Sequence, residues 1–265
     1  MTPKMPVLFI GHGSPMNIIE DNSFTRSLAD RGKRLPRPRA IMVISAHWLT
    51  DGTFVGCMER PKTIHDFSGF PRALYAKQYP SPGTPAEAEF VTGVVRKAAV
   101  LCRSDWGIDH GAWSVLLHLF PKADIPVFQM SLDYSFNDWH PKPLQYHYDL
   151  AQELAPLRER GVLIIGSGNI VHNLGIIDFE NENAEPYDWA RDFDEKVKGV
   201  LVSRNEQDLI RYERLGPSAA LAVPALDHYL PMIYAVALRG RSEPLAFTHE
   251  GFQHASISMR CFQIG

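Results

Sequence analysis

The side chains most able to do chemistry in this chain are histidines that sit beside glycines and at the ends of apolar segments. The relevant ones are His12, His47, His110, His172 and His228. Imidazole is a good ligand for iron, zinc and copper, whereas magnesium and calcium prefer oxygen ligands. Its pKa near neutrality also suits it to proton transfer. The pattern predicts a mononuclear metal site, with His12, His47 and His228 as chief candidate ligands.

The elements that position these histidines are short apolar runs typical of buried strands. They cover residues 7–10, 41–45, 127–131 and 162–165. Ligands in open α/β sheets bind beyond the carboxyl ends of the strands. His12, His47 and His172 each follow one of these runs, so we expect them at one edge of one sheet. A single histidine there is more often a hydrogen-bonded structural residue, but their joint placement favours a site.

Helical patterns alternate with the strands. They cover residues 84–101, 113–120, 144–160 and 188–206, with a polar loop at 181–187. Alternating strands and helices predict an α/β fold with a central, mostly parallel sheet flanked by helices. Residues 245–248 and 256–263 predict antiparallel strands added near the C-terminus. We find no linker or repeat, so we expect residues 1–265 to form a single catalytic domain.

Composition excludes several classes of function. The formal net charge is −3 in 265 residues, so the chain has no basic field for nucleic acid. The apolar runs are too short to span a membrane, and the N-terminal segment lacks a signal-peptide pattern, which predicts a cytoplasmic protein. Cys57, Cys102 and Cys261 are widely spaced without a CxxC motif, so we expect buried thiols rather than disulfides.

Other motif interpretations fail on spacing. Residues 11–14 lack both the GxGxxG spacing and the P-loop lysine, residues 166–168 do not form GxSxG, and HExxH does not occur. His65 lies in an aromatic, glycine-containing loop and is a candidate substrate contact. The remaining histidines have no comparable context and are expected on the surface or in packing: His118, His140, His147, His249 and His254.

The ordered motifs resemble a known family over nearly the whole chain. They are GHGSPMN (11–17), SAHW (45–48), HDFSGFP (65–71), DHGAW (109–113), SGNIVHN (167–173) and DHYLPMIYA (227–235). This set resembles the class III extradiol ring-cleaving dioxygenases, and most closely the DOPA 4,5-dioxygenase subgroup. The resemblance implies an Fe(II) enzyme that inserts both atoms of O2 into a catechol such as L-DOPA. The implied product is a muconic semialdehyde of the seco-DOPA type.

The resemblance also implies roles for individual residues. His12 and His47 fall at metal-ligand positions, and His228 falls where another branch of the family has a glutamate. His172 matches the acid/base histidine, and His110 matches a histidine that meets the substrate. Candidate substrate contacts are Ser14, Trp48, His65 and Tyr229, and candidate aromatic walls also include Phe67, Phe70 and Trp113.

Alternatives remain open at this stage. Zinc could occupy the same site as a substituted metal, with His172 as a fourth ligand. A zinc-dependent hydrolase on the same scaffold would use metal-bound water as its nucleophile. A non-catalytic metal-binding interaction protein is the remaining alternative. The expected partners are a small catechol and O2, with no nucleic acid or membrane. The sequence does not indicate the oligomeric state.

Overall fold

The strands are built from the apolar runs, and the central ones are buried along nearly their whole length. The computed structural model describes residues 4–134 and 142–265. The strands within these ranges are β1 (Val7–Gly11), β2 (Ala40–Thr50), β3 (Thr53–Gly56), β4 (Val100–Arg103), β5 (Val127–Asp133), β6 (Val162–Gly168), β7 (Leu245–His249), β8 (Phe252–Gln253), β9 (Ile257–Ser258) and β10 (Cys261–Ile264).

In the described parts of the chain, eight strands form one sheet in the order β4-β3-β5-β2-β6-β1-β10-β7. The pairs β2–β5, β2–β6, β1–β6 and β3–β4 are parallel. Strand β10 runs antiparallel to both β1 and β7, and β8 and β9 form a separate two-stranded sheet. The predicted α/β fold, with a mostly parallel sheet and antiparallel additions near the C-terminus, is confirmed.

Helices cover both faces of the sheet. They are α1 (Ser23–Arg34), α2 (Arg72–Tyr75), α3 (Pro85–Val94), α4 (His110–Leu119), α5 (Leu144–Gln152), α6 (Ala155–Glu159), α7 (Asp188–Ser203), α8 (Glu206–Ile210), α9 (Ala219–Ala222) and α10 (Leu230–Ala237). Side chains of α1 and α4 pack on one face, and those of α5, α7 and α10 pack on the other. None of the helices in these described ranges has the length and apolar composition that a bilayer crossing requires.

The structure corrects the extent of several predicted elements. The helix predicted over 84–101 ends at Val94, because the apolar residues that follow pair with β3 as strand β4. The helix predicted over 144–160 is broken into α5 and α6, with Pro156 in the first turn of α6. The helix predicted over 188–206 ends at Ser203, where Arg204 adopts a left-handed conformation. The C-terminal strand predicted over 256–263 is divided into β9 and β10.

The cysteine prediction is also corrected. Cys57 and Cys102 are paired as a disulfide, with Cα atoms 5.7 Å apart, and only Cys261 is a buried free thiol. The parallel pairing of β3 and β4 brings the two halves of this pair together across a separation of 45 residues. No local motif marks such a pair, because adjacent parallel strands are joined by a long crossover.

Candidate metal centre

Three neighbouring parallel strands carry the site at their carboxyl ends. In the register of the sheet, Gly11 of β1 lies opposite Gly168 of β6, and Ser45 of β2 lies opposite Ser167 of β6. His12 extends this ladder, because its backbone N–H donates to the Gly168 carbonyl at 3.1 Å. The sheet register therefore places the ends of β2, β6 and β1 in a row at one edge of the sheet, as the sequence predicted.

His47 lies within β2, two residues after Ser45. The pairing of β2 with β5 is irregular between Ile44 and Leu49, so the histidine lies where the ladder is interrupted. The Ser45 hydroxyl also contacts the His47 backbone N–H at 3.2 Å. Such irregularities in a strand re-aim side chains and are common beside active sites.

His228 reaches the site from the segment that precedes α10. Its carbonyl accepts a hydrogen bond from the backbone N–H of Asn169 at 2.9 Å. A Cβ atom on Gly168 would lie 2.2 Å from the same carbonyl, so only glycine allows the two segments to approach this closely. The glycine at the end of β6 is therefore needed to admit His228.

The imidazoles of His12, His47 and His228 converge. Their ring centroids are 5.1 to 5.3 Å apart, and the Nε2 atoms of His12 and His47 are 3.2 Å apart. One ligand atom from each of the three lies within 4.8 Å of the others. Two nitrogens bound to the same zinc at about 2.0–2.1 Å stand roughly 3 Å apart. The three rings have the spacing of a metal-binding group.

Hydrogen bonds to the far side of the rings select which nitrogen faces the site. Nδ1 of His12 is 3.1 Å from Ser167 Oγ, and this hydroxyl donates its own proton to the Gly111 carbonyl at 2.5 Å. The hydroxyl oxygen can then only accept from Nδ1–H, so Nε2 of His12 keeps its lone pair for a metal. This is the orienting role that partners of metal-binding histidines play.

Carboxylates stand behind the other two rings. Asp66 Oδ2 is 3.4 Å from Nδ1 of His47, and Asp227 Oδ2 is 3.2 Å from Nδ1 of His228. The His228 ring N–H does not point along this line, so the second contact is electrostatic rather than a hydrogen bond. Both carboxylates favour a proton on Nδ1 and a lone pair on Nε2.

Burial favours the neutral form of two of the ligand candidates, His12 and His47. Loss of solvent lowers the pKa of His12 and of His47 well below the usual value, and the charges of neighbouring imidazoles lower it further. The pKa of His172 is also lowered well below the usual value, first by burial and then by His228. A metal binds the neutral imidazole. The residues present thus fit a first-row transition metal or zinc.

Asp66 joins the metal site to His110. Its Oδ1 accepts the backbone N–H of His110 at 2.8 Å, and its Oδ2 lies 2.9 Å from Nδ1 of the same residue. The rings of His47 and His110 are 4.0 Å apart. His47, Asp66 and His110 form a second group with metal-ligand spacing. The Asp66 carboxylate already faces both Nδ1 atoms, so we assign the metal to the Nε2 side.

Helix α4 begins at His110 and is fixed at this end by a buried carboxylate. Asp109 accepts hydrogen bonds from Ser45 Oγ and from Gln129 Nε2, both at 2.7 Å. Burial and then the charge of Asp66 raise the pKa of Asp109 to about 6. This network holds His110 at the edge of the cavity.

His172 lies against His228 rather than within the ligand triangle. The two rings stack with centroids 3.5 Å apart and an interplanar angle of 5°. His172 is not a member of the group of three whose ligand atoms converge. It is close to the site and faces the same cavity.

A cavity of about 520 Å³ opens over the imidazoles. It is lined by His12, Gly13, Ser14, Pro15, Met16, His47, Ser68, Gly69, Phe70, His110, His172, Leu174, Ile177, Phe179, His228, His254 and Ile257. Ser14, predicted as a substrate contact, lies in this lining at the start of a 3-10 turn. The volume is in the range of pockets that hold a small organic ligand.

The other predicted substrate contacts lie elsewhere. Trp48 and Tyr229 are each 1% exposed, and neither lines the cavity. Successive residues of a strand point to opposite faces, so Trp48 turns away from His47 and stacks on Trp106. Tyr229 points into the core, where its hydroxyl donates to the Leu209 carbonyl at 3.1 Å. The expectation that these two side chains form a substrate wall is corrected.

His65 is likewise outside the cavity lining. Its Nε2 contacts the Lys77 carbonyl at 2.9 Å, so it ties two parts of a loop together. The next residue of the same motif, Asp66, is the one that reaches the site. The sequence marked the correct loop but the wrong side chain in it.

Several residues at the site carried no usable signal in the sequence. Ser167 and Asp227, which lie behind the rings of His12 and His228, belong to no motif that indicates this role. His254 was assigned to the surface or packing, yet it lines the cavity, where its Nδ1 contacts the Asp178 carbonyl at 2.8 Å. No motif surrounds it in the sequence, so only the fold reveals its position. His140 lies outside the described residues.

Comparisons with known proteins agree with this geometry. Residues 5–260 match the family model described as the catalytic LigB subunit of aromatic ring-opening dioxygenase. The chain belongs to this LigB family. The prediction of an extradiol ring-cleaving dioxygenase from the sequence motifs is therefore confirmed at the level of the family.

Individual relatives support the same assignment. A 4,5-DOPA dioxygenase extradiol from Escherichia coli K12 is 44% identical, with 99% of this chain and 95% of that protein covered. A 4,5-DOPA dioxygenase extradiol from Beta vulgaris is 34% identical, with 94% and 92% covered. The crystal structure of an uncharacterized Escherichia coli K12 protein superposes with a TM-score of 0.83 at 40% identity, covering 98% of this chain and 100% of that one.

Proposed function

We propose that this LigB-family protein is an Fe(II)-dependent extradiol dioxygenase that opens the ring of a catechol with O2. The product would be a muconic semialdehyde, and L-DOPA is the first substrate to test because relatives carry it in their names. The observation that carries the proposal is the convergence of three imidazoles at the floor of a cavity. Oxygen activation at a metal requires coordination positions that the protein leaves open, and three ligands leave several.

In this proposal His12, His47 and His228 hold the metal. Bound Fe(II) would supply the redox chemistry that allows O2 to react with a catechol. Non-haem iron oxygenases commonly use two histidines and one carboxylate. Here the third ligand is an imidazole, and the carboxylates Asp66 and Asp227 stand behind the rings instead.

The proton-handling residues in the proposal are His172 and His110. Because its pKa is lowered, His172 is neutral at physiological pH and is able to accept a proton from a catechol hydroxyl. Stacking against His228 keeps it beside the substrate that the metal would bind. His110 has its Nδ1 beside Asp66, so its other nitrogen is available to a substrate oxygen.

The test is anaerobic reconstitution with Fe(II), followed by O2 uptake and product absorbance with L-DOPA and a panel of catechols. We expect O2 consumption that depends on both iron and catechol, and a yellow ring-opened product. Zinc has no redox chemistry, so the zinc-loaded protein is the matched control and should be inactive. If the iron-loaded protein cleaves no catechol, the proposal is wrong.

A zinc-dependent hydrolase is the second candidate, because three histidines are also the ligand set of a known type of catalytic zinc site. Such an enzyme would use a metal-bound water as nucleophile. Hydrolysis of esters or amides that tracks zinc content, and that survives strict removal of iron, would favour it over the dioxygenase.

A further inference from the structure

The cavity has two chemically different sides. Imidazoles form its floor, whereas Met16, Phe70, Leu174, Ile177 and Phe179 form much of its outer wall. The metal-binding group needs only part of a cavity of about 520 Å³. The remaining volume lies against apolar side chains, so the wall is placed to contact whatever extends from the catechol ring.

The part of this wall between residues 173 and 179 is held in place although it is exposed. Asn173 Nδ2 donates to the Leu221 carbonyl at 2.8 Å, and the Asp178 backbone N–H donates to the His254 carbonyl at 3.1 Å. Between and beside these two fixed points, Leu174 is 53% exposed and Phe179 is 76% exposed. Adjacent large apolar side chains kept in water at a cavity mouth are typical of a ligand-binding surface.

Charged side chains are missing from the described lining. No Lys, Arg, Asp or Glu is among the described residues that line the cavity. Behind the rim, Glu182 accepts a hydrogen bond from Gln253 at 2.6 Å, and burial followed by the charge of Glu182 raises the pKa of Glu20. An anionic substituent would thus meet an apolar wall with carboxylates behind it, and burying a charge without a partner is costly.

From the apolar wall and the absence of Lys, Arg, Asp and Glu among the described lining residues, we infer that the preferred substrates are catechols with an uncharged, apolar substituent on the ring. Leu174, Ile177 and Phe179 determine this preference by contacting the substituent. The inference rests on the proposed catechol cleavage and narrows its substrate class. An amino-acid side chain such as that of L-DOPA would keep its charges in solvent and gain little from the wall.

The first test compares kcat/KM of the iron-loaded enzyme for catechol, 4-butylcatechol, L-DOPA, 3,4-dihydroxyphenylacetate and dopamine. We expect 4-butylcatechol to exceed catechol and each charged compound by about tenfold, the lower end of what apolar pockets achieve. If kcat/KM for any charged catechol exceeded the value for 4-butylcatechol, the inference would be overturned, although the proposed dioxygenase activity would stand. Absence of turnover for every catechol would instead sink the proposed function.

Variants on the exposed loop then test the wall itself. Phe179→Ser and Leu174→Ser change exposed side chains, so the fold should tolerate both. We expect each to lower the ratio of kcat/KM for 4-butylcatechol over catechol by about threefold. Ile176→Ser is the matched control, because Ile176 is an exposed apolar residue of the same loop that does not line the cavity. An equal fall of this ratio in Ile176→Ser would contradict the assignment of Leu174 and Phe179 to the substrate-contacting wall.

Binding to the zinc-loaded protein gives a readout that does not depend on turnover. By calorimetry, 4-butylcatechol should bind about tenfold more tightly than catechol, and Phe179→Ser should reduce that difference. Equal affinities for the two compounds would overturn the inference. A preference for 3,4-dihydroxyphenylacetate that is lost in His254→Ala would do the same, by showing that His254 recognises an anion.

Discussion

Histidines in two regions of the described chain differ in what they can do. His147 lies in the core apart from the cluster, its Nδ1 contacts the Tyr234 hydroxyl at 3.0 Å, and burial lowers its pKa to about 3. In the cluster, His12 and His228 are also buried and His47 is half-buried, and the pKa values of His12 and His47 are lowered as well. Burial and a shifted pKa are therefore common to a packing histidine and to metal-site histidines.

The difference is in where the free nitrogens point. At the cluster, neighbours occupy the Nδ1 side of each ring, and the opposite nitrogens converge beneath a cavity. At His147, the second nitrogen has no partner within the described residues, and His147 does not line the cavity over the cluster. A perturbed pKa identifies candidates for function, but convergence of lone pairs separates a metal site from a core residue.

The largest expected effect comes from breaking the cluster. In His12→Ala, the metal-binding group loses the ring whose Nε2 is 3.2 Å from that of His47. We expect loss of bound iron, and a fall in catechol cleavage beyond the roughly 100-fold limit typical of residues that only orient metal ligands. Elemental analysis of the purified protein and O2 uptake measure the two effects.

His147→Gln is the matched control for this prediction. It removes a buried imidazole of similar pKa behaviour, yet it should leave iron content and kcat close to those of the parent. If His12→Ala retained a full equivalent of iron, the assignment of the ligand triangle would be wrong.

A second prediction tests whether His172 binds the metal or transfers a proton. His172 stacks on His228 but lies outside the group of converging ligand atoms. We therefore expect His172→Gln to keep its iron while kcat falls by roughly 10²- to 10⁴-fold, the usual contribution of a general acid or base. Loss of metal together with activity would show that His172 is a fourth ligand.

A smaller effect on iron affinity or kcat is expected from changing a carboxylate that lies behind the imidazole rings. Asp66→Asn keeps the shape of the side chain but removes the charge that faces His47 and His110. We predict a 10- to 100-fold loss of iron affinity or kcat, as for other residues that orient metal ligands. Asp227→Asn is the comparison, because Asp227 faces only His228. A larger effect from Asp227→Asn would contradict the linking role of Asp66.

Much of this arrangement could be predicted because it is local in sequence. The apolar runs that became β1, β2 and β6 are each followed by the histidines that the strand delivers to the sheet edge. The rule that ligands bind at carboxyl ends then brings His12, His47 and His172 together without knowledge of the strand order. Ser14, a candidate substrate contact, lines the cavity over these residues, and its contact with substrate stays a prediction.

The residues that could not be predicted depend on long-range packing. Strand alternation alone was enough to remove Trp48 from the site, but His254 enters it only through contacts between distant segments. The Cys57–Cys102 pair likewise depends on strand pairing across 45 residues. Sequence patterns specify which face a side chain takes, whereas contacts between distant segments are set by the whole fold.

The smallest expected effect concerns stability and returns to His147. Its pKa is about 3 in the folded protein and about 6.5 when unfolded, so the unfolded chain binds the extra proton between these values. The contribution to stability is fully present above pH 6.5 and is lost as the pH falls. Between pH 7 and pH 5 this amounts to about 2 kcal/mol at 1.36 kcal/mol per pKa unit. His147→Gln should remove that part of the slope in urea unfolding, and an unchanged slope would show that His147 titrates normally in the fold.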